Sequence, residues 1–381
     1  MKFLIGSCLV FLFSFVVIAF TSPNGVFAQT TPSYSVGTVK DVVEENRTVV
    51  EESEFYVQQL RVQLQDGTEV FITAGSEFQP LRHEQLLKSG QRVIIGTQQM
   101  ADGGLEYVIA DVYRLPTLLF LTAALFALVI WIGRTRGLAA LLGMVLSLVV
   151  LVKGIVPALL AGNDPVLVAI VGSVFVAAFT IYLSHGWSLK SHMAFGSLVA
   201  TLLAVLVLSV SSVHAAQLVG LGSEEAYFLQ FGPAGQVNLQ GLLLAGIMLG
   251  ALGVLDDSIV SQISVVKELK AAQPKLKFED LYWRGLEVGR DHVASLVNTL
   301  VLAYAGANLP LFLLFYLNTQ SPIWVTLNSD VIAEEFMRTV IGSIGLVAAV
   351  PLTTVLAAFV FTKWGVGSEE TAAAQRGVHR H

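Results

Sequence analysis

From Pro116 onward the chain is built of apolar runs too long for most soluble helices, and this limits what it can fold into. Seven can be marked: 116–133, 137–153, 166–183, 193–211, 239–257, 293–317 and 337–362. Each is close to the roughly 17–25 residues that a helix needs to cross a bilayer. In lipid a backbone has no water to bond with, so segments like these are predicted as helices. The composition agrees: 54% of the 381 residues are hydrophobic and 13% are charged, with a mean hydropathy of +0.71. Soluble domains carry about 25% charged residues.

The N-terminal third has a different pattern. Lys2, the apolar run Phe3–Phe20 and the small residues before Ala28 predict a secretory signal over 1–28. Residues 29–114 alternate apolar and polar in five runs: Ser35–Val43, Phe55–Leu64, Glu69–Thr73, Arg92–Thr97 and Leu105–Tyr113. Asp66-Gly67 reads as a tight turn, and Leu81–Lys88 as a short helix. Five strands with a helix between the third and fourth predict a small OB-like β-barrel. This segment holds 13 acidic residues against 7 Lys and Arg. A nucleic-acid partner is therefore not expected; a docking role for a protein partner is the alternative use.

Basic residues set the expected orientation. With the β domain outside, twelve Lys and Arg fall on inner segments, against Lys153 and Arg338 on outer segments. The expected protein is a polytopic α-helical membrane protein with about seven spans over 115–365, placed in the cell membrane. A signal and an extracytoplasmic β-barrel precede the spans, a cytoplasmic loop covers 258–292, and a cytoplasmic tail covers 366–381. Ser258–Lys270 should continue span five until Pro274 stops it, and Phe278–Arg290 should form a second short amphipathic helix.

The only cysteine, Cys8, lies in the signal, so a disulfide or thiolate metal site is not expected in the mature chain. No Walker A, G-x-S-x-G or H-E-x-x-H pattern occurs. The expectation is a non-enzyme without cofactor, catalytic residues or metal ligands; His185, His192 and His292 read as loop or interface residues.

Chemistry is expected on span five. Gly246, Gly250, Gly253, Asp257, Ser261, Ser264 and Glu268 recur at i+3 or i+4 and form one narrow stripe. Asp256, turned about 100° away, shares its face with Leu249, Leu252, Ile259 and Ile263, and needs a partner from another helix. A carboxylate at the centre of a span costs about 2.5–3.5 kcal/mol, less toward its end. Span six carries Asn298, Thr299, Tyr304 and Asn308 within its apolar run. Gly306 and Pro310 flank Asn308, so a kink is expected there.

The sequences LDDSIVSQ at Leu255–Gln262 followed by Glu268-Leu269, GRDH at Gly289–His292 and NTLVLAY at Asn298–Tyr304 resemble the bacterial YibE/F-like membrane proteins. The resemblance covers most of residues 35–362. It implies a multi-pass membrane protein of permease type, and supports a solute- or ion-binding site at Asp256, Asp257, Gln262, Glu268, Asn298, Thr299 and Tyr304. The expected function is a carboxylate-coupled secondary transporter for a small solute or cation. The alternative is a non-catalytic scaffold whose outer β domain docks a partner.

Overall fold

The structure is a computed structural model that describes residues 33–50, 53–76, 79–100, 104–232, 237–317 and 321–365. The expected signal, 1–28, and the tail, 366–381, lie outside the described residues. Two compact units separate near Trp131.

All five expected strands form: β1 Ser33–Val50, β2 Ser53–Gln63, β3 Glu69–Ala74, β4 Arg92–Gln99 and β5 Leu105–Val112. They make one antiparallel sheet in the order β3-β2-β1-β4-β5. β1 serves two partners because it is long: Ser33–Thr38 pairs with β4, and Thr38–Val50 with β2. Alternation turns Val39, Leu60, Val62, Ile72, Val93 and Ile95 into one core. On the other face Asp41 pairs across strands with Arg61, whose hydrogen bond holds the Asp41 carboxyl below its ordinary value.

Two expectations fail here. The sheet is not a closed barrel: among the described residues β3 and β5 are its unbonded edges. The helix over Leu81–Lys88 is also absent, and only a 3-10 turn forms at His83–Gln85. Both corrections have one cause. The segment after β3 runs extended beside β2, with Leu81 exchanging backbone bonds of 2.7 and 2.8 Å with Tyr56. The buried Gln58 side chain accepts from the Leu87 N–H at 2.9 Å and donates to its carbonyl at 3.3 Å. Cross-strand bonding outcompetes helix, and the strap stands at the seam where a barrel would close. Replacing Gln58 with Leu removes both anchors from a buried strap. The expected loss is about 1–3 kcal/mol, read as earlier thermal unfolding of the sheet and faster proteolysis near Leu87; an unchanged cleavage pattern would refute the anchoring role.

Downstream the helices are α1 Leu115–Val150, α2 Val156–Leu160, α3 Pro165–His185, α4 Leu189–Ala215, α5 Glu224–Phe231, α6 Leu239–Ala272, α7 Phe278–Ala307, α8 Leu309–Leu317, α9 Ile323–Leu327 and α10 Asp330–Trp364. α1 breaks at Arg134, whose φ of 49° and ψ of −128° are not helical. Among the described residues six segments are long and apolar enough to cross a membrane, and seven if the bent pair α7–α8 counts as one. That pair turns by 66° at Asn308, where a kink was expected. α6 continues past the apolar run to Ala272, also as expected. Phe278–Arg290 is not a separate helix: it is the first half of α7, continuous with span six.

α6 is the hub of this unit, packed by α3, α4, α7 and α10. Contacts at both ends fix the directions. Gly241 near the start of α6 meets Pro165 of α3, and Gly246 meets Arg338 of α10, so both helices run parallel to α6. Gly285 of α7 meets Val266, while Gly250 meets Tyr304, so α7 runs antiparallel.

Candidate functional site

α3 must turn sharply to enter α4, and the sequence HGWS supplies the turn. Gly186 takes φ 69°, a left-handed backbone that glycine adopts at little cost. Ser188 caps α4, its hydroxyl accepting from the Ser191 N–H at 3.2 Å, and Ser191 Oγ donates to the Gly186 carbonyl at 2.6 Å. Trp187 stacks on Tyr182 with centroids 4.4 Å apart, and the Tyr182 hydroxyl pairs with His192 Nδ1 at 2.9 Å. These bonds hold the turn's polar groups in place.

Against that turn lies a cavity of about 830 Å³. Ser184, His185, Ser188 and Lys190 line it from the turn, Thr180 from α3, and Gly253, Asp256, Asp257, Val260 and Lys267 from α6. Gly137 and Ala140 of α1, Leu189 of α4, Phe361 of α10 and Gly365 just after it complete it. Both adjacent aspartates reach it, although 100° separates them. A broad cavity wrapping the corner of α6 accommodates both, where a narrow site would admit one. Asp257 is exposed in it and Asp256 half-buried. The polar neighbour that Asp256 needed comes from α3, where Thr180 lines the same cavity while its hydroxyl donates to the Ala177 carbonyl at 3.2 Å. The cavity is level with the α3–α4 turn, at the end of these spans.

The other six expected site residues lie elsewhere. Gln262 is buried between helices: its Nε2 donates to the Gly285 carbonyl and to Thr354 Oγ1, each at 2.8 Å. It joins α6, α7 and α10. A Cβ on Gly289 would stand 2.8 Å from Gln262 Oε1 and 2.5 Å from Val350, so the glycine in GRDH gives this clamp its room. Glu268 is exposed, about 16 Å beyond Asp257 by helix rise. Asn298 and Thr299 are exposed on α7, with Thr299 back-bonded to Ser295 at 3.0 Å. Asn308 donates to the Tyr304 carbonyl at 3.1 Å at the bend. Tyr304 approaches α6 less than a turn above Gly253 of the cavity, its hydroxyl 3.0 Å from where a Cβ of Gly250 would stand.

Sequence reasoning missed Thr180, Ser184, Ser188, Lys190 and Lys267. The signal was present: Thr180, Ser184 and Ser188 recur at i+4 where an apolar run ends, but such residues usually cap or back-bond. Among the described residues no group of three or more His, Cys, Asp or Glu is placed to hold a metal ion.

Replacing Gln262 with Leu keeps the volume and removes both bonds. The expected cost is about 1–3 kcal/mol, measured as a lower melting temperature of the detergent-solubilised protein; an unchanged melt would show that the three helices need no such clamp.

The family model describing YibE/F-like proteins matches residues 121–363, which includes every helix of the cavity and leaves the sheet outside. No curated protein and no solved structure matches.

Proposed function

The chain belongs to the YibE/F-like family, and on that premise we propose that it is a non-enzymatic permease for a small solute or cation. Its carboxylates bind the cargo or a coupling proton in the cavity of Asp256 and Asp257. The observation that carries this reading is the meeting of both carboxylates with three hydroxyls, Thr180, Ser184 and Ser188, in one space of about 830 Å³. That volume is in the range of small-molecule sites. Ionisable groups at the end of a span suit an entrance that water reaches, where protonation and cargo binding can compete. Lys190 and Lys267 line the same space, so the cavity carries charges of both signs, which suits a small cargo carrying both. In this reading the sheet domain faces outward and the cavity opens to the cytoplasm, as the basic residues direct.

A second reading makes the chain a scaffold whose sheet docks a partner. What favours it is the open seam between β3 and β5, with a groove of about 730 Å³ lined by Gly75, Leu81, Leu87 and Ile109. Deleting residues 29–114 would then abolish function while Asp substitutions leave it intact.

The permease reading is tested in proteoliposomes holding a pH-sensitive dye and challenged with a panel of small solutes and cations. A challenge that moves protons through the native protein should fail with Asp257→Asn and weaken with Asp256→Asn. Gly253→Leu should also weaken it, because nothing lies within 4 Å of a Cβ there and the new side chain enters the cavity beside Asp257. Native flux in both single Asp variants and in the double variant would sink the proposal.

A further inference from the structure

Above the cavity, α6 meets a second set of polar groups that the permease reading does not use. Glu335 and Arg338 form an ion pair on α10 with N–O 2.6 Å. Arg338 lies about 12 Å into its helix from Asp330 by helix rise. The side chains are 21% and 32% exposed, so the pair is largely withdrawn from solvent. The pair thus stands at the outer edge of the apolar run 337–362, where one side chain lies just before the run and the other just inside it. The neighbouring Glu334 is committed elsewhere: buried, it accepts from the Gly222 N–H at 3.0 Å and pins the loop before α5.

The pair faces α6. Arg338 Nη2 would lie 3.9 Å from a Cβ on Gly246. One turn further along α6 the Tyr304 hydroxyl sits against Gly250. Next comes Gly253, with open space beside it, and then Asp257 in the cavity. Along the α6 axis these levels are about 10, 16, 21 and 27 Å from Leu239 by helix rise. Three different helices thus set a cation–carboxylate pair, a hydroxyl and a carboxylate in sequence along the one face of α6 that has no bulky side chains.

We propose that Glu335, Arg338 and Tyr304 form the outer half of the permeation route, a second station for a proton or small polar cargo between Asp257 and the membrane face at which α6 begins. This inference rests on the permease reading. The pair receives the cargo and the Tyr304 hydroxyl bridges the gap. A Cβ would meet no close contact at Gly246 or Gly253, and the Tyr304 hydroxyl occupies the space at Gly250 between them.

Accessibility of single cysteines tests it without knowledge of the cargo. Cys8 is the only cysteine in the chain, so Cys8→Ser gives a thiol-free background. In it Gly246→Cys, Gly253→Cys and, as a buried control, Met248→Cys are made in the full chain. Each is treated with a small membrane-impermeant thiosulfonate reagent, applied to intact cells and to inside-out vesicles. The two glycine positions accept a Cβ without a close contact, so folding is preserved. The expected result is that Gly246→Cys reacts from one face, Gly253→Cys from the opposite face, and Met248→Cys from neither. If Gly253→Cys reacts and Gly246→Cys is inert from both faces, the outer half is closed packing around a local ion pair. The inference then falls while the cavity stands. Reaction of both from the same face overturns it too, since one vestibule would then serve both levels. If neither glycine variant reacts, this inference and the permease reading fail together.

Discussion

Two apolar helices in a bilayer gain little by hiding from lipid, so their association rests on close backbone approach and on a few polar bonds. α6 shows both. Its broad apolar surface is buried against α3, α4 and α10, and Gln262 adds one amide that bonds to α7 and α10 at once. Gly285 and Gly289 of α7 carry no side chain where this amide lies. The motif residues that looked like a binding site therefore divide into two kinds. Gln262 and Gly289 hold helices together, and Asp256 and Asp257 face open space.

This division explains how the cavity can be polar without loosening the bundle. The clamp lies about one and a half turns beyond the aspartates along α6, and the α3–α4 turn is braced independently by Trp187, Tyr182 and Ser191. Two fixed walls hold the cavity between them. Lys270, nearly buried, donates to the Leu276 carbonyl at 2.6 Å and closes the hairpin between α6 and α7, so the wall that bears the aspartates is continuous with a packed helical pair.

Much of this was legible in the sequence for a physical reason. Long apolar runs, β alternation and the kink near Asn308 are local properties, and local patterns survive folding. The five strands, the extension of α6 and the bend after α7 were found where the residues placed them. What depended on partners was not legible. Leu81–Lys88 looks helical alone but is held extended by Tyr56 and Gln58. Phe278–Arg290 looks like a separate surface helix but joins span six. Asn298 and Thr299 look like a lining but are exposed, because the α7 face that meets α6 is set by Gly285, Gly289 and Tyr304. Thr180 and Ser184 repeat at i+4 in the sequence, but their meeting with Asp256 depends on α3 packing beside α6.

α6 has 34 residues, about 51 Å at 1.5 Å each, against a bilayer core of about 30 Å. About 20 Å of stiff rod thus projects beyond the hydrocarbon, tied to α7 at its tip. Ile263, Val266 and Lys270 are buried there, so the stretch that bears the aspartates and the stretch that meets the hairpin belong to one packed, stiff body.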